Sequence, residues 1–182
     1  MKNSSYITLK ANQGQENALA DFLIGGGEIV QATEPRTMVW TALQTAEKDS
    51  CIIFDTFVDE AAQAAHFEGK VANALSINAS QLVAGGWDDG VIPNIQNSQI
   101  LGYKVDASAA APKVAIFIPL TAQAGKEQEL ADLLTAGAQL VTETEPLTLF
   151  WFGLQFSENQ FGIIDFFEGQ EGIDAHFGGQ VA

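Results

Sequence analysis

The sequence predicts an α+β protein made of two tandem modules, each with strand and helix order βαββαβ. Three observations carry this expectation: the chain aligns with itself, its apolar residues alternate between strand and helix spacing, and turn residues punctuate the segments. At a shift of 111, Thr33-Glu34-Pro35 falls on Thr144-Glu145-Pro146, Trp40 on Trp151 and Leu43-Gln44 on Leu154-Gln155. Leu19-Ala20-Asp21 likewise meets Leu130-Ala131-Asp132. One residue is lost in a loop. At a shift of 110, Asp55 meets Asp165, Phe57 meets Phe167 and Ala65-His66-Phe67 meets Ala175-His176-Phe177. Val71-Ala72 meets Val181-Ala182, where the sequence ends. The matches keep their order over most of a module, as repeats do. The boundaries expected are 1–106 for the first module, 107–112 for a linker and 113–182 for a second, C-terminally shorter module.

Each element has a local reason. Tyr6 to Lys10 alternates as a strand does. Gln13-Gly14-Gln15 turns the chain into a helix over Glu16 to Ala32, with Leu19, Phe22, Leu23, Ile29 and Val30 on its apolar stripe. Gly25-Gly26-Gly27 interrupts this helix at about 1 kcal/mol per glycine relative to alanine, which points to a close backbone contact. Glu34-Pro35 stops the helix, since the residue before proline avoids the α region. Strands follow at Thr37–Thr45 and Cys51–Val58, joined by the polar loop Glu47-Lys48-Asp49-Ser50. Asp59-Glu60 sets acidic groups at the positive end of the next helix, Ala61 to Phe67. Val71 to Val83 reads as another helix, and Gln99 to Val105 as a fourth strand after a loop. The second module repeats the order with strand Val114–Leu120, helix Lys126–Val141, strands Thr148–Gln155 and Phe161–Phe167, and a short helix through His176.

The βαββαβ order is the ferredoxin-like arrangement. Its sheet has helices on one face only, and the bare face needs cover. Two modules on one chain supply it if they pack sheet to sheet, as a pseudo-dimeric α+β barrel within the chain. Further assembly into a homo-oligomer is compatible with this.

Composition narrows the function. The 182 residues carry a formal net charge of −15, with only 8 lysines and arginines, and these are scattered. Nucleic acid and anionic membrane surfaces both call for clustered basic residues, so neither is an expected partner. No apolar run reaches the ~18 to 20 residues of a membrane span. The N-terminus leads straight into a strand pattern without a signal peptide, so a cytoplasmic location is expected. Cys51 is the only cysteine, which excludes an intrachain disulfide. No glycine loop for phosphates is present, because Gly25-Gly26-Gly27 has no Lys-Ser/Thr after it.

The residues able to do chemistry come in pairs. His66 and His176 are the only histidines and titrate near neutral pH, so they are candidate acid–base groups. The alternative is that they tie their helix to the backbone or to a carboxylate. A shared two-histidine metal site is not expected. Asp55 and Asp165 lie in apolar strands, and alternation places Asp55 with Ile53 and Phe57, pointing inward as a candidate proton acceptor. Trp40 and Trp151 could wall a pocket for a planar ligand, with Gln44, Gln155, Phe57 and Phe167 as further binding residues; the alternative is that the tryptophans serve core or inter-sheet packing alone. Glu34 and Glu145 read as turn residues.

The stretch Thr33-Glu34-Pro35…Trp40…Asp55-Thr56-Phe57-Val58-Asp59-Glu60-Ala61…Ala65-His66-Phe67 resembles the antibiotic biosynthesis monooxygenase family of the dimeric α+β barrel superfamily. The family's third strand ends in an acidic residue, one further position and an aromatic, with a histidine nine residues later. Asp55, Phe57 and His66 keep that spacing, and so do Asp165, Phe167 and His176. Arg36 and Leu147 replace the family's glycine after Glu-Pro, and Phe57 stands where tryptophan is frequent. The resemblance implies a cofactor-independent monooxygenase in which a small aromatic or quinol-like substrate itself reduces oxygen, with no metal or flavin. The alternative is a non-catalytic module that binds a small molecule or oligomerises.

Overall fold

The computed structural model describes residues 1–108 and 111–179. Residues 109–110 of the expected linker, and the correspondence of Val71-Ala72 with Val181-Ala182, lie outside the described residues. The chain divides into two compact units, Met1–Asn97 and Ser98–Ala182.

In the first unit, strand β1 (Asn3–Lys10), helix α1 (Glu16–Thr33), strands β2 (Thr37–Gln44) and β3 (Ser50–Phe57), and helices α2 (Glu60–Phe67) and α3 (Lys70–Leu82) follow in order. β3 lies between β1 and β2 and is antiparallel to both. Leu19, Leu23, Leu75 and Ala79 of the helices pack with Ile7, Leu9, Cys51 and Ile53 of the strands in one core. This is the fate of the apolar stripes read from the sequence, except that Ile29 stays partly exposed. The segment after Gly85-Gly86, expected as a loop, coils into a wide π-type turn at Gly86–Val91 and a 3-10 turn at Ile92–Asn94. Val91 is thereby buried in the core. β1 begins at Asn3 rather than Tyr6. Ser4 and Ser5 are fully buried in it, and Gln63 Nε2 donates to the Ser4 carbonyl and to Ser5 Oγ.

Strand β4 (Ile95–Val105) runs from the end of the first unit into the second. Gln99–Val105 pairs antiparallel with β6 (Thr148–Gln155), inside the second unit. That unit continues with β5 (Val114–Thr121), α4 (Glu127–Thr144), β7 (Gln160–Phe167) and α5 (Gln170–Phe177). β7 lies between β5 and β6. Leu134, Ala138 and Val141 of α4 pack on Trp151 and Phe161. The two units thus share the order strand, helix, two strands, helix. The fold class is α+β with ferredoxin-like modules, as the sequence predicts.

Two glycine sites fix local geometry. Gly14 and Gly125, at φ 79° and 77°, occupy the left-handed region in the turns entering α1 and α4. In α1, a Cβ on Gly27 would sit 3.0 Å from the Trp40 ring, and one on Gly26 3.5 Å from it. The glycine run lets the helix settle on a tryptophan of β2.

A buried Glu–His–Asp site in each unit

The register of the sheet brings the site together. Asp55 of β3 lies opposite Trp40 on β2 and opposite Ser5 on β1. Directly opposed residues share a sheet face, and this face is the one that α2 covers. His66, near the end of α2, reaches down to Asp55: Nε2 is 3.3 Å from Asp55 Oδ2. Its other nitrogen, Nδ1, is 2.6 Å from Glu34 Oε2, at the C-terminal cap of α1. The helix is held at its start by Asp59, whose Oδ1 accepts from Ala62 N at 3.0 Å. The imidazole edge also packs on Phe57, with ring centroids 5.3 Å apart.

The second unit builds the same arrangement. His176 Nδ1 lies 2.5 Å from Glu145 Oε2, and Nε2 lies 3.4 Å from Asp165 Oδ2. Trp151 opposes Asp165 across the β6–β7 ladder, and Phe167 packs on the imidazole at 5.6 Å. In both units a threonine of the following strand donates to the same glutamate oxygen, Thr37 to Glu34 and Thr148 to Glu145.

Burial governs the charge states. Asp55 and Asp165 are completely buried. Desolvation pushes Asp55 above the ordinary carboxylate range, although His66 and Ser5 pull it back. For Asp165 desolvation comes first, opposed by the charge of His176 and reinforced by that of Glu145, and the result is about 7. Burial alone would lower His66, but its contacts with Asp55 and Glu34 outweigh this and leave it raised. The first cluster therefore holds protons more tightly than its separated groups would.

The unmet polar atoms have a pattern. Among the described residues, the buried side-chain atoms without a hydrogen-bond partner are Glu34 Oε1, Trp40 Nε1 and both oxygens of Asp55, together with their counterparts Glu145 Oε1, Trp151 Nε1 and both oxygens of Asp165. The His–Asp contacts are at ion-pair distance without hydrogen-bond alignment. Such atoms are rare in folded proteins, and their concentration in two places marks functional or strained sites. No group of three or more His, Cys, Asp and Glu is placed to hold a metal ion among the described residues. The carboxylates flank the ring from opposite sides instead of converging on a point.

In the first unit the site opens on a surface cavity of about 300 Å³, lined by Glu34, Arg36, Ala62, His66, Gly69 and Lys70 among others. Gly69 is tightly constrained: a Cβ there would lie 2.8 Å from Glu34 Oε1 and 2.8 Å from His66 O. Gly179 holds the corresponding place, where a Cβ would lie 3.0 Å from Glu145 Oε1 and 3.0 Å from His176 O.

Of the sequence candidates, His66, Asp55, Phe57 and Trp40 gather at the first site, and His176, Asp165, Phe167 and Trp151 at the second. Gln44 and Gln155 lie four residues further along their strands from the tryptophans. Gln44 Nε2 donates to Lys48 O in the hairpin. Sequence reasoning missed the ring-binding role of Glu34 and Glu145, and it missed Gly69 and Gly179. Recurrence of all four at matching positions was the available signal.

The α+β fold is shared with solved structures described as putative monooxygenases, in keeping with the resemblance drawn from the sequence. Over the whole chain it is similar to a "putative monooxygenase" from Lactobacillus acidophilus, with TM-score 0.82, 10% identity and 84% of that chain covered. A second so described, from Fusobacterium nucleatum, gives TM-score 0.77 at 12% identity, over 99% of this chain and 82% of that one. An anthrone oxidase-like protein matches at TM-score 0.54 and 10% identity, over 98% of this chain and 78% of the other. At these identities the likeness is one of fold. A protein of unknown function from Nitrosomonas europaea is 32% identical over 62% of this chain and 96% of its own, with TM-score 0.48. No family model and no curated protein matches the sequence. No helix among the described residues is long and apolar enough to cross a membrane.

Proposed function

We propose that the protein is a cofactor-independent monooxygenase of the antibiotic biosynthesis type, acting on a small aromatic or quinol-like compound at the first-unit site. The observation that supports it is the concentration of partnerless buried polar atoms around a histidine held between two carboxylates, beside an open cavity. His66 Nδ1 is bonded to Glu34 and Nε2 faces the fully buried Asp55, so the buried imidazole is not the group that meets substrate. Glu34 is the group that meets it. Oε2 is committed to His66 and Thr37, whereas Oε1 has no hydrogen-bond partner and lies buried against Gly69, in a residue that lines the cavity. A substrate O–H or activated C–H gives its proton to Glu34, and His66 and Asp55 hold that charge from behind. The electron-rich anion then reduces dioxygen. One oxygen atom ends in the new C–O bond, and the other leaves as water with two protons from the substrate.

In this reading the chain arose by duplication of one module. The ring-binding contacts of the second unit suit a second role, tying α4, α5 and the sheet together. Oxygen uptake with a panel of quinols and anthrones tests the first site. Glu34→Gln and His66→Asn should each slow turnover by roughly 100-fold or more, with melting temperatures recorded for each variant. Turnover unchanged in a folded Glu34→Gln protein would remove the proposed base.

A further inference from the structure

The cavity beside Glu34 and His66 has a charge character unlike that of the rest of the chain. The protein has only 8 basic residues and a net charge of −15, yet Arg36 and Lys70 both line this one cavity. Arg36 is committed to Asp59 through its guanidinium. Lys70 is exposed and makes no ion pair among the described residues. Inside the cavity Glu34 and His66 offset each other, and Asp55 behind them is pushed toward its neutral form by burial. The surplus is the ammonium group of Lys70. The backbone adds to it: Lys70 is the first residue of α3, whose N-cap Gly69 offers no side-chain cap, and the first turn contains no acidic residue. By sequence the corresponding positions in the second unit are Leu147 and Gln180, so the positive rim belongs to the first unit alone.

We infer that this cavity takes a small anionic ring compound, a hydroxylated aromatic carboxylate, with its carboxylate at Lys70 and its hydroxyl at Glu34. The inference rests on the proposed site and adds the charge and size of what enters it. A volume of about 300 Å³ lies at the small end of ligand pockets, which suits one ring better than three fused rings. A carboxylate meets Lys70 and the open N-terminus of α3, and a hydroxyl on the far side of the ring meets Glu34 where that side chain lines the cavity.

Calorimetric titration under anaerobic conditions tests it without reading turnover. The probes are 2,5-dihydroxybenzoate and uncharged hydroquinone, at low and at 0.5 M salt. Wild type should bind the carboxylate at least about tenfold more tightly than hydroquinone, and salt should shrink the preference. Lys70→Gln should abolish the preference and Lys70→Glu should reverse it, whereas Lys126→Gln, a surface change in the second unit, should leave it intact. Equal binding of both probes, binding of neither, or a preference that survives Lys70→Gln would overturn the inference. Anion-selective binding without oxygen uptake would sink the monooxygenase reading and leave this one standing. Turnover of neutral quinols without anion preference would do the opposite.

Discussion

The two Glu–His–Asp clusters are nearly superposable in their contacts and different in their surroundings. Contact distances agree within about 0.1 Å, at 2.6 and 3.3 Å in the first unit and 2.5 and 3.4 Å in the second. Around the first, Ser5 opposes the aspartate, and Gln63 and Asn97 extend a polar network from it. Around the second, Ile116 opposes the aspartate, and the position of Gln63 is held by Ile173. The glutamate side chain is 13% exposed in the first unit and 6% in the second. Lys104, nine-tenths buried, donates to the Glu145 carbonyl, and burial lowers its affinity for a proton. Identical triads in unlike settings teach that the triad geometry belongs to the module. What each cluster does is set by the neighbours that decide its solvent access and charge.

The sharpest way to break this comparison is kinetic. His66→Asn should reduce oxygen uptake by about 10²-fold or more, and His176→Asn should leave it within a few-fold; equal losses would make the two sites equivalent. The next largest effect is on stability. Glu145→Ala strands a buried imidazole and should destabilise by about 3–5 kcal/mol in urea unfolding. Glu34→Ala should cost less, because the first-unit glutamate is the more exposed of the two. Third, Gly69→Ala forces a methyl against Glu34 Oε1 and the His66 carbonyl, and should lower stability by about 1–3 kcal/mol.

The fourth prediction concerns pH. Asp165 titrates near 7 in the folded protein and near 4 when unfolded, so the native state holds the extra proton between these values. Its contribution to stability is complete below about pH 4, declines as pH rises through 7, and is then flat. Unfolding measured from pH 4 to 8 should fall by up to about 1.4 kcal/mol per pH unit from this group, and Asp165→Asn should flatten that part of the curve. The smallest effect is Ser5→Ala. Loss of the hydroxyl should move the titration of Asp55 further upward, toward the setting of Asp165, as followed by carboxyl carbon NMR.

Much of the fold was legible because its signals are local. Period-two and helical spacing, Glu34-Pro35 as a helix stop and Asp59 as a helix start all act within a few residues of where they are read. The site was legible in part. His66 and Asp55 stood out as a lone histidine and a carboxylate in an apolar strand, and alternation gave the correct inward face for Asp55. Glu34 was hidden by its own second job. It caps a helix and precedes a proline, which accounts for it locally, while its contact with His66 spans 32 residues and exists only after α2 docks. Ser5 was invisible for a related reason: a buried serine in a strand looks polar and exposed until Gln63 and Asn97 arrive to satisfy it. Gln44 and Gln155 share a strand face with the tryptophans, but strand rise carries them about 13 Å beyond, too far to join the cluster.

The glycine run in α1 offers a lesson in reading tolerance. Three identical neighbours occupy one helix, yet space around them is graded. Nothing lies within 4 Å of where a methyl on Gly25 would go, Gly26 is bounded by Val71 and Trp40, and Gly27 is pressed by the tryptophan ring. Alanine should therefore be welcome at 25, where it would add about 1 kcal/mol by restraining the unfolded chain, and progressively refused at 26 and 27. A library of single substitutions would display this as a gradient across three adjacent codons, measuring from outside how far the indole of Trp40 reaches beneath the helix.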